Sequence, residues 1–410
     1  MNFVEHSTAS SKYVVNQISP LISVQSTIHA VQPMRFEPVA FSTYRCIVPS
    51  VSDLDHFNAA IVGLGRAGLG LHIPILHTLQ TAAGDGSHFE KIVALVDMHE
   101  PAVTRAQQQL QLDFGYDPAN LVCGTSLEAI AKLDRETTVV HVCTPEGAHL
   151  ATLQQAAALG FHRFVIEKPC AGNIVDVDEM QRVVDQKDIN VAIVNPYLYS
   201  RSVELCKRKI SSIGEKPHYL EFELSKPRKR PTLQGRSSPE SVIDVELPHQ
   251  IATALYLTEA QHYRVLRTET RHMHYREEDT DPCKVIQNMG LGIIVLELDQ
   301  TIAFLISYLD ARTRTRVLKL RFSSTEYVEA FLPVSGEDHT SEFVEYAGRN
   351  SDGSTDQTNS QKFPDDLFAK CLGDIYSKFA AGQPHLSDIA FNRKVVDVMS
   401  KAKALAGLKV

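Results

Sequence analysis

One stretch limits what this chain can fold into: Asn58-Ala-Ala-Ile-Val-Gly-Leu-Gly-Arg-Ala-Gly-Leu-Gly70. Ala60, Ile61 and Val62 read as a short buried strand, and Gly63, Gly65 and Gly68 follow in Gly-x-Gly-x-x-Gly order. Each glycine has its own task. Gly63 permits a tight turn, Gly65 lets backbone approach a pyrophosphate, and Gly68 lets the next helix pack close to the strand. Arg66 and Ala67 stand where that helix begins, and its first N–H groups point at the phosphates. Glycine-rich turns arise for other reasons too, so the pattern takes its weight from the residues downstream of it.

From Ala67 onward, helix and strand alternate. Helices are expected over Ala67–Thr81, Pro101–Leu110, Leu127–Leu133, His149–Leu159 and Val175–Gln186, with Ser126 as an N-cap. Strands are expected at Ile92–Val96, Leu121–Cys123, Thr138–Cys143, Phe164–Ile166 and Val191–Val194. The strands are nearly continuous apolar runs, as when helices cover both faces of a sheet. The alternation predicts an α/β fold over residues 56–195: a doubly wound parallel sheet with right-handed crossovers, the Rossmann arrangement that binds NAD(P).

After Asn195 the strands lengthen and alternate. Tyr219–Ser225, Arg264–His274, Leu291–Leu298, Ile302–Leu309 and Val317–Phe322 are strands, interrupted by a helix over Glu246–Leu257. Residues 196–410 therefore read as an α+β domain with a mostly antiparallel open sheet. Ser335–Lys362 is polar and reads as a loop. Helices over Asp365–Ala381 and Ile389–Leu405 close the chain, the second capped by Ser387. Residues 1–55 are poor in charge, carry Pro20, Pro33, Pro38 and Pro49, and read as a partly disordered extension. They lack the basic and apolar regions of a secretory signal.

Composition narrows the partners. A net charge of −8 argues against coating nucleic acid, and no apolar run is long enough for a bilayer. The 7 cysteines form no Cys-x-x-Cys pair, which argues against a disulfide framework or metal site and for a reducing, cytoplasmic compartment. Cys143 and Cys170 read as small apolar fillers.

Three motifs lie at expected strand ends. Asp97 ends the second strand, where an adenosine ribose lies; a carboxylate there accepts from the ribose hydroxyls and repels a 2′-phosphate, favouring NAD over NADP. Arg66 could meet such a phosphate, so NADP stays open. The plainer role for Asp97 is to cap the next helix. Thr144-Pro145 closes the fourth strand and His149 opens the following helix, a turn bordering the nicotinamide half of the crevice. Glu167-Lys168-Pro169 closes the fifth strand at the sheet edge where ligands bind. A lysine there can bind a substrate hydroxyl and stabilise alkoxide charge.

In order and strand position these residues resemble the Gfo/Idh/MocA oxidoreductase family, which includes glucose–fructose oxidoreductase and inositol dehydrogenases. The resemblance covers about Phe57 to Val194 and implies a nicotinamide cofactor and a sugar- or cyclitol-like substrate. It also implies homodimers or homotetramers through an open sheet face. The family carries an Asp and a His four residues apart on a helix facing the nicotinamide. Here the run is Ile243-Asp-Val-Glu-Leu-Pro-His249. His249 matches, but Asp244 and Glu246 are both off the family spacing, and either could partner it. By the same resemblance Tyr197, Tyr199 and Arg201 lie beside the substrate, although junction packing would equally account for the tyrosines.

The expected activity is dehydrogenation of a secondary alcohol of a sugar, sugar phosphate or cyclitol, with Lys168 and His249 as the reacting pair. The basic run Lys226-Pro-Arg-Lys-Arg-Pro231 could meet an anionic substrate or be a solvated strand end. A dinucleotide-binding regulatory protein without turnover is the alternative, and a methyltransferase leaves Glu167-Lys168-Pro169 unexplained.

Overall fold

β1 (Phe57–Val62) is buried along almost its whole length, and the first sheet is built outward from it. The computed structural model describes residues 56–82, 88–227, 241–275, 283–322, 326–334, 338–347 and 356–409. The extension 1–55 and positions 228–231 of the basic run lie outside these residues.

The chain continues through α1 (Ile73–Ala82), β2 (Phe89–Val96), α2 (Glu100–Phe114), β3 (Val122–Gly124), β4 (Thr138–Val142), α3 (His149–Ala158), β5 (Arg163–Ile166), α4 (Ile174–Lys187) and β6 (Asn190–Ile193). The six strands are parallel in the order β3-β2-β1-β4-β5-β6. The order reverses between β1 and β4, so a crevice opens at their carboxyl ends. The expected doubly wound sheet is present.

The second half runs α5 (Arg201–Ile213), β7 (Tyr219–Pro227), α6 (Val242–Val245), α7 (Leu247–Thr258), β8 (Tyr263–Tyr275), β9 (Lys284–Leu298), β10 (Thr301–Tyr308), β11 (Asp310–Arg321), β12 (Tyr327–Phe331), β13 (Thr340–Ala347) and β14 (Asp356–Pro364). These strands form an eight-stranded sheet in the order β14-β13-β12-β11-β7-β10-β9-β8, antiparallel except between β7 and β10. One face packs on α5 and α7 through Leu220, Phe222, Leu296, Leu305 and Ile251. Finally α8 (Leu367–Ala381) returns to the first sheet, burying Leu372, Ile375, Tyr376 and Phe379 against Phe57 and Phe89. α9 (Ile389–Leu405) lies against α4, α7 and β8.

Several local expectations change. Leu127–Leu133 shortens to one 3-10 turn over Leu127–Ile130, and the Ser126 side chain makes no capping bond. A π turn, Gly68–His72, precedes α1. The helix expected over Glu246–Leu257 is the pair α6 and α7, broken at Glu246. Pro248 stands in the first turn of α7, where its missing N–H costs nothing. The polar run Ser335–Lys362 holds β13 and most of β14 rather than a plain loop. β14 is an edge strand exposed at nearly every position, so it carries no apolar alternation to read. Asp388, not Ser387, caps α9, accepting from the Phe391 N–H at 2.7 Å. Ser387 instead accepts from the Asn195 side-chain amide at 2.7 Å.

Candidate active site

The turn after β1 needs its glycines. Gly63 has φ +94°, and a Cβ there would lie 2.6 Å from the Thr144 nitrogen. At Gly68 a Cβ would strike the Gly63 carbonyl oxygen. The first helical bond runs from Leu69 N–H to the Gly65 oxygen at 2.9 Å. The N–H groups of Arg66, Ala67 and Gly68, ahead of it, therefore have no intrahelical partner.

Asp97 does not cap the next helix, whose N-cap is His99 with no side-chain bond. Its Oδ1 accepts from His99 N–H at 2.9 Å before α2, and its Oδ2 accepts from Leu64 N–H at 2.7 Å. It thus ties the glycine turn to the end of β2. An open groove beside the turn is lined by Arg66, Leu69, Pro74, Arg105 and Gln109.

At the end of β4, Pro145 leads into a single turn, and then His149 is fully inside. The His149 ring lies between two carbonyl oxygens, Thr144 at 2.8 Å and Cys170 at 3.1 Å, and a neutral ring donates to one of them. It clasps the two loops that border the crevice. The Thr144 hydroxyl is buried and has no hydrogen-bond partner among the described residues. Free helical N–H groups, a turn closed to side chains, a carboxylate at the end of β2 and this unpaired hydroxyl fit a bound dinucleotide.

Glu167 and Lys168 follow β5, and the Lys168–Pro169 bond is cis. Lys168 Nζ donates to the Val245 carbonyl at 2.8 Å, at the end of α6. That bond brings the ammonium beside the α6–α7 break. Glu246 occupies the break and forms an ion pair with Lys226. Burial alone would raise the Glu246 carboxyl, but the Lys226 and Lys168 ammoniums outweigh it and lower it to about 2. His249 lies in the first turn of α7, its ring edge-on to Tyr197 at 5.1 Å. Burial, then the charge of Lys168, pushes its imidazole well below the ordinary histidine range, against an opposing pull from Glu246. Its Nδ1 is buried with no hydrogen-bond partner among the described residues. Lys168, Glu246 and His249 are thus brought together.

Asp244 is not among them. Its Oδ2 accepts from Ser241 N–H and Oγ, both at 3.2 Å, closing a capping box, and its Oδ1 meets Lys403 at 2.6 Å. Of the two carboxylates open as partners to His249, Asp244 is a helix cap. Tyr197 is buried, and burial lifts its hydroxyl to about 12. Tyr199 packs on the cores of both sheets. Arg201 is exposed and lays its guanidinium 4.6 Å over the Phe363 ring.

Sequence reasoning passed over Arg316, whose guanidinium is 6.0 Å from the Tyr197 ring and whose charge reaches His249. Its signal was an arginine at every second position, Arg312, Arg314 and Arg316, in β11. It also passed over His72, bonded to Glu167 at 2.9 Å. Among the described residues no cluster of His, Cys, Asp and Glu is fit to hold a metal, and no helix is long and apolar enough to cross a membrane.

No curated protein matches the chain. Among solved structures it resembles a UDP-N-acetylglucosamine 3-dehydrogenase from Acidithiobacillus ferrooxidans at 17% identity, TM-score 0.61, over 86% of this chain and 97% of that one. It resembles KijD10, a 3-ketoreductase from Actinomadura kijaniata solved with TDP-benzene and NADP, at 15% identity and TM-score 0.63, over 86% and 98% of the two chains. A putative NADPH-dependent oxidoreductase from Desulfitobacterium hafniense gives 14% identity and TM-score 0.64, over 86% and 96%. Such identities establish the shared fold of both halves. Residues 57–195 match the pattern described as "Oxidoreductase family, NAD-binding Rossmann fold". This part of the chain, with its glycine turn, Asp97 and Glu167-Lys168-Pro169, is an NAD-binding domain of the Gfo/Idh/MocA oxidoreductase family.

Proposed function

We propose that the protein is an NAD(P)-dependent dehydrogenase acting on a secondary alcohol of a sugar, sugar phosphate or cyclitol. The observation that carries this reading is the meeting of Lys168, from the first sheet, with Glu246 and His249, from the second half. The sugar-nucleotide dehydrogenase and the 3-ketoreductase of like fold support a sugar-linked substrate. Three cationic side chains near His249, those of Lys168, Lys226 and Arg316, favour one carrying negative charge.

The Arg66–Gly68 N–H groups, Asp97, Thr144 and Pro145 hold the dinucleotide in this reading, and His149 fixes the loops around it. When bound, the cofactor supplies a nicotinamide ring that accepts or returns the hydride. Lys168 donates to the substrate oxygen and stabilises its negative charge as the alcohol becomes a ketone. His249, neutral in the resting site, accepts the hydroxyl proton as general base. Glu246 offsets the positive field around that imidazole. Tyr197 and Arg201 are candidate substrate contacts. The partner in assembly is a second copy of this chain.

A panel of sugars, sugar phosphates and cyclitols with NAD and NADP tests the reading by absorbance of the reduced cofactor. On the substrate found, Lys168→Ala and His249→Ala should each lower kcat by roughly 10²–10⁴-fold while dinucleotide binding persists. Wild-type turnover in either variant removes that residue from the mechanism. Tight binding of reduced cofactor with no turnover on any panel member favours the regulatory alternative.

A further inference from the structure

Behind Glu167 a line of buried polar side chains crosses the first sheet to α8. His72 Nε2 meets Glu167 Oε1 at 2.9 Å, and His72 Nδ1 meets His141 Nδ1 at 2.8 Å. His141 Nε2 meets the Tyr376 hydroxyl at 2.8 Å. His72, His141 and Tyr376 are almost wholly buried, and they come from the π turn, β4 and α8. None has a role in the chemistry above.

With both imidazoles neutral, the carboxylate end fixes the direction of the line. A carboxylate can only accept, and a phenol buried among Phe57, Phe89 and Phe379 has its hydrogen free to donate to His141. If Tyr376 O–H donates to His141 Nε2, that neutral ring carries its hydrogen on Nδ1. His141 Nδ1–H then donates to His72 Nδ1, which leaves His72 Nε2–H for Glu167. Every group is satisfied in one tautomer set. We propose that His72, His141 and Tyr376 are positioning residues: a one-way hydrogen-bond chain that holds Glu167 as an anion behind Lys168. The inference rests on the reading of Lys168 as the reactive lysine.

The charges around Glu167 agree. Burial raises its carboxyl, yet the His72 bond, with Lys168 and His149, outweighs burial and holds it below the usual range. The other titratable neighbours are the thiols of Cys143 and Cys371, which burial and then the Glu167 charge push up. His141 is driven well below the histidine range by burial, so it stays neutral.

The test is the pH dependence of Tm for the full chain. A folded carboxyl held below its unfolded value of about 4.3 stabilises above that value, and the gain is lost as pH falls through the folded pKa. In Tyr376→Phe the His141 tautomer is released, and in His72→Leu the donor is gone. In both, the acid fall in Tm should still begin near the unfolded carboxyl's value but be smaller and end about one pH unit higher, at the raised folded pKa. His72→Gln keeps an amide N–H in reach and should keep the wild-type profile. In a Glu167→Gln background, Tyr376→Phe and His72→Leu should leave the shape of the profile unchanged. Profiles that superimpose on wild type overturn the chain, and so does a shift that persists without Glu167. If Tyr376→Phe fails to fold, the His72→Leu and His72→Gln pair decides. No turnover is read, so a catalytically silent protein still tests the chain. A missing shift leaves the hydride reading standing.

Discussion

Glu246 shows how one carboxylate tunes a buried imidazole. It sits between Lys226, Lys168 and His249, with its own carboxyl lowered to about 2, so it is an anion at every pH of interest. Its charge raises the His249 pKa against burial and against Lys168, Lys226 and Arg316, which all lower it. Glu246→Gln removes this upward pull and leaves the downward ones. A general base works deprotonated, so activity is lost as pH falls through its pKa. In wild type that acid limb should lie below the ordinary histidine value of about 6.5. In Glu246→Gln it should move lower still, and the plateau kcat should drop about tenfold because a weaker base accepts the proton less readily. The kcat–pH profile of both proteins is the measurement. A limb that does not move takes Glu246 out of the base's environment.

The turn between β1 and α1 is a constraint of elements, since it sets how near a helix can approach its strand. Gly68→Ala would put a methyl into the Gly63 carbonyl oxygen, backbone against backbone, with no flexible side chain to yield. The start of the helix must then shift, at a cost of about 1–3 kcal/mol. Calorimetry should show a lower Tm, and dinucleotide affinity should fall more than tenfold as the N–H groups of Arg66 and Ala67 move. An unchanged Kd would show that the helix start does not hold the pyrophosphate. This turn was legible in sequence because glycine spacing records backbone geometry directly. So were the six parallel strands, because burial on both faces leaves unbroken apolar runs. The break at Glu246 was not: Pro248 allowed a helix start without fixing where one lay. Glu246 and Asp244 stayed alternatives for that reason, and only the folded chain reveals the Asp244 capping box. β14 was hidden because an exposed edge strand has no inner face to write into its sequence. His141 did leave a trace, as the lone polar ring in Thr138–Val142, but its partners lie on distant elements.

At the scale of the molecule, the second sheet has two unlike faces. Ala303 and Leu305 of β10 and Ile294 and Leu296 of β9 enter the core. The alternate positions Ile302, Phe304, Ile306, Ile293 and Val295 point the other way and are only half-buried. Phe304 pairs with Val295 on β9 and with Glu221 on β7, so its surroundings are apolar on one side and acidic on the other. A broad apolar face of this kind invites a matching surface, and a second copy of the same sheet supplies one by two-fold symmetry. The wild-type chain should therefore sediment as a dimer or tetramer at micromolar concentration. Phe304→Lys tests this, because the new ammonium faces its own symmetry mate across the interface, while in the protomer it lies beside the Glu221–Lys319 pair and gives up the Phe304 contact with Tyr219. Sedimentation should give monomers with a Tm lowered only modestly and the circular dichroism of a folded chain. A wild-type monomer at those concentrations, or an assembly that survives Phe304→Lys, would mean that this face is not where the copies meet.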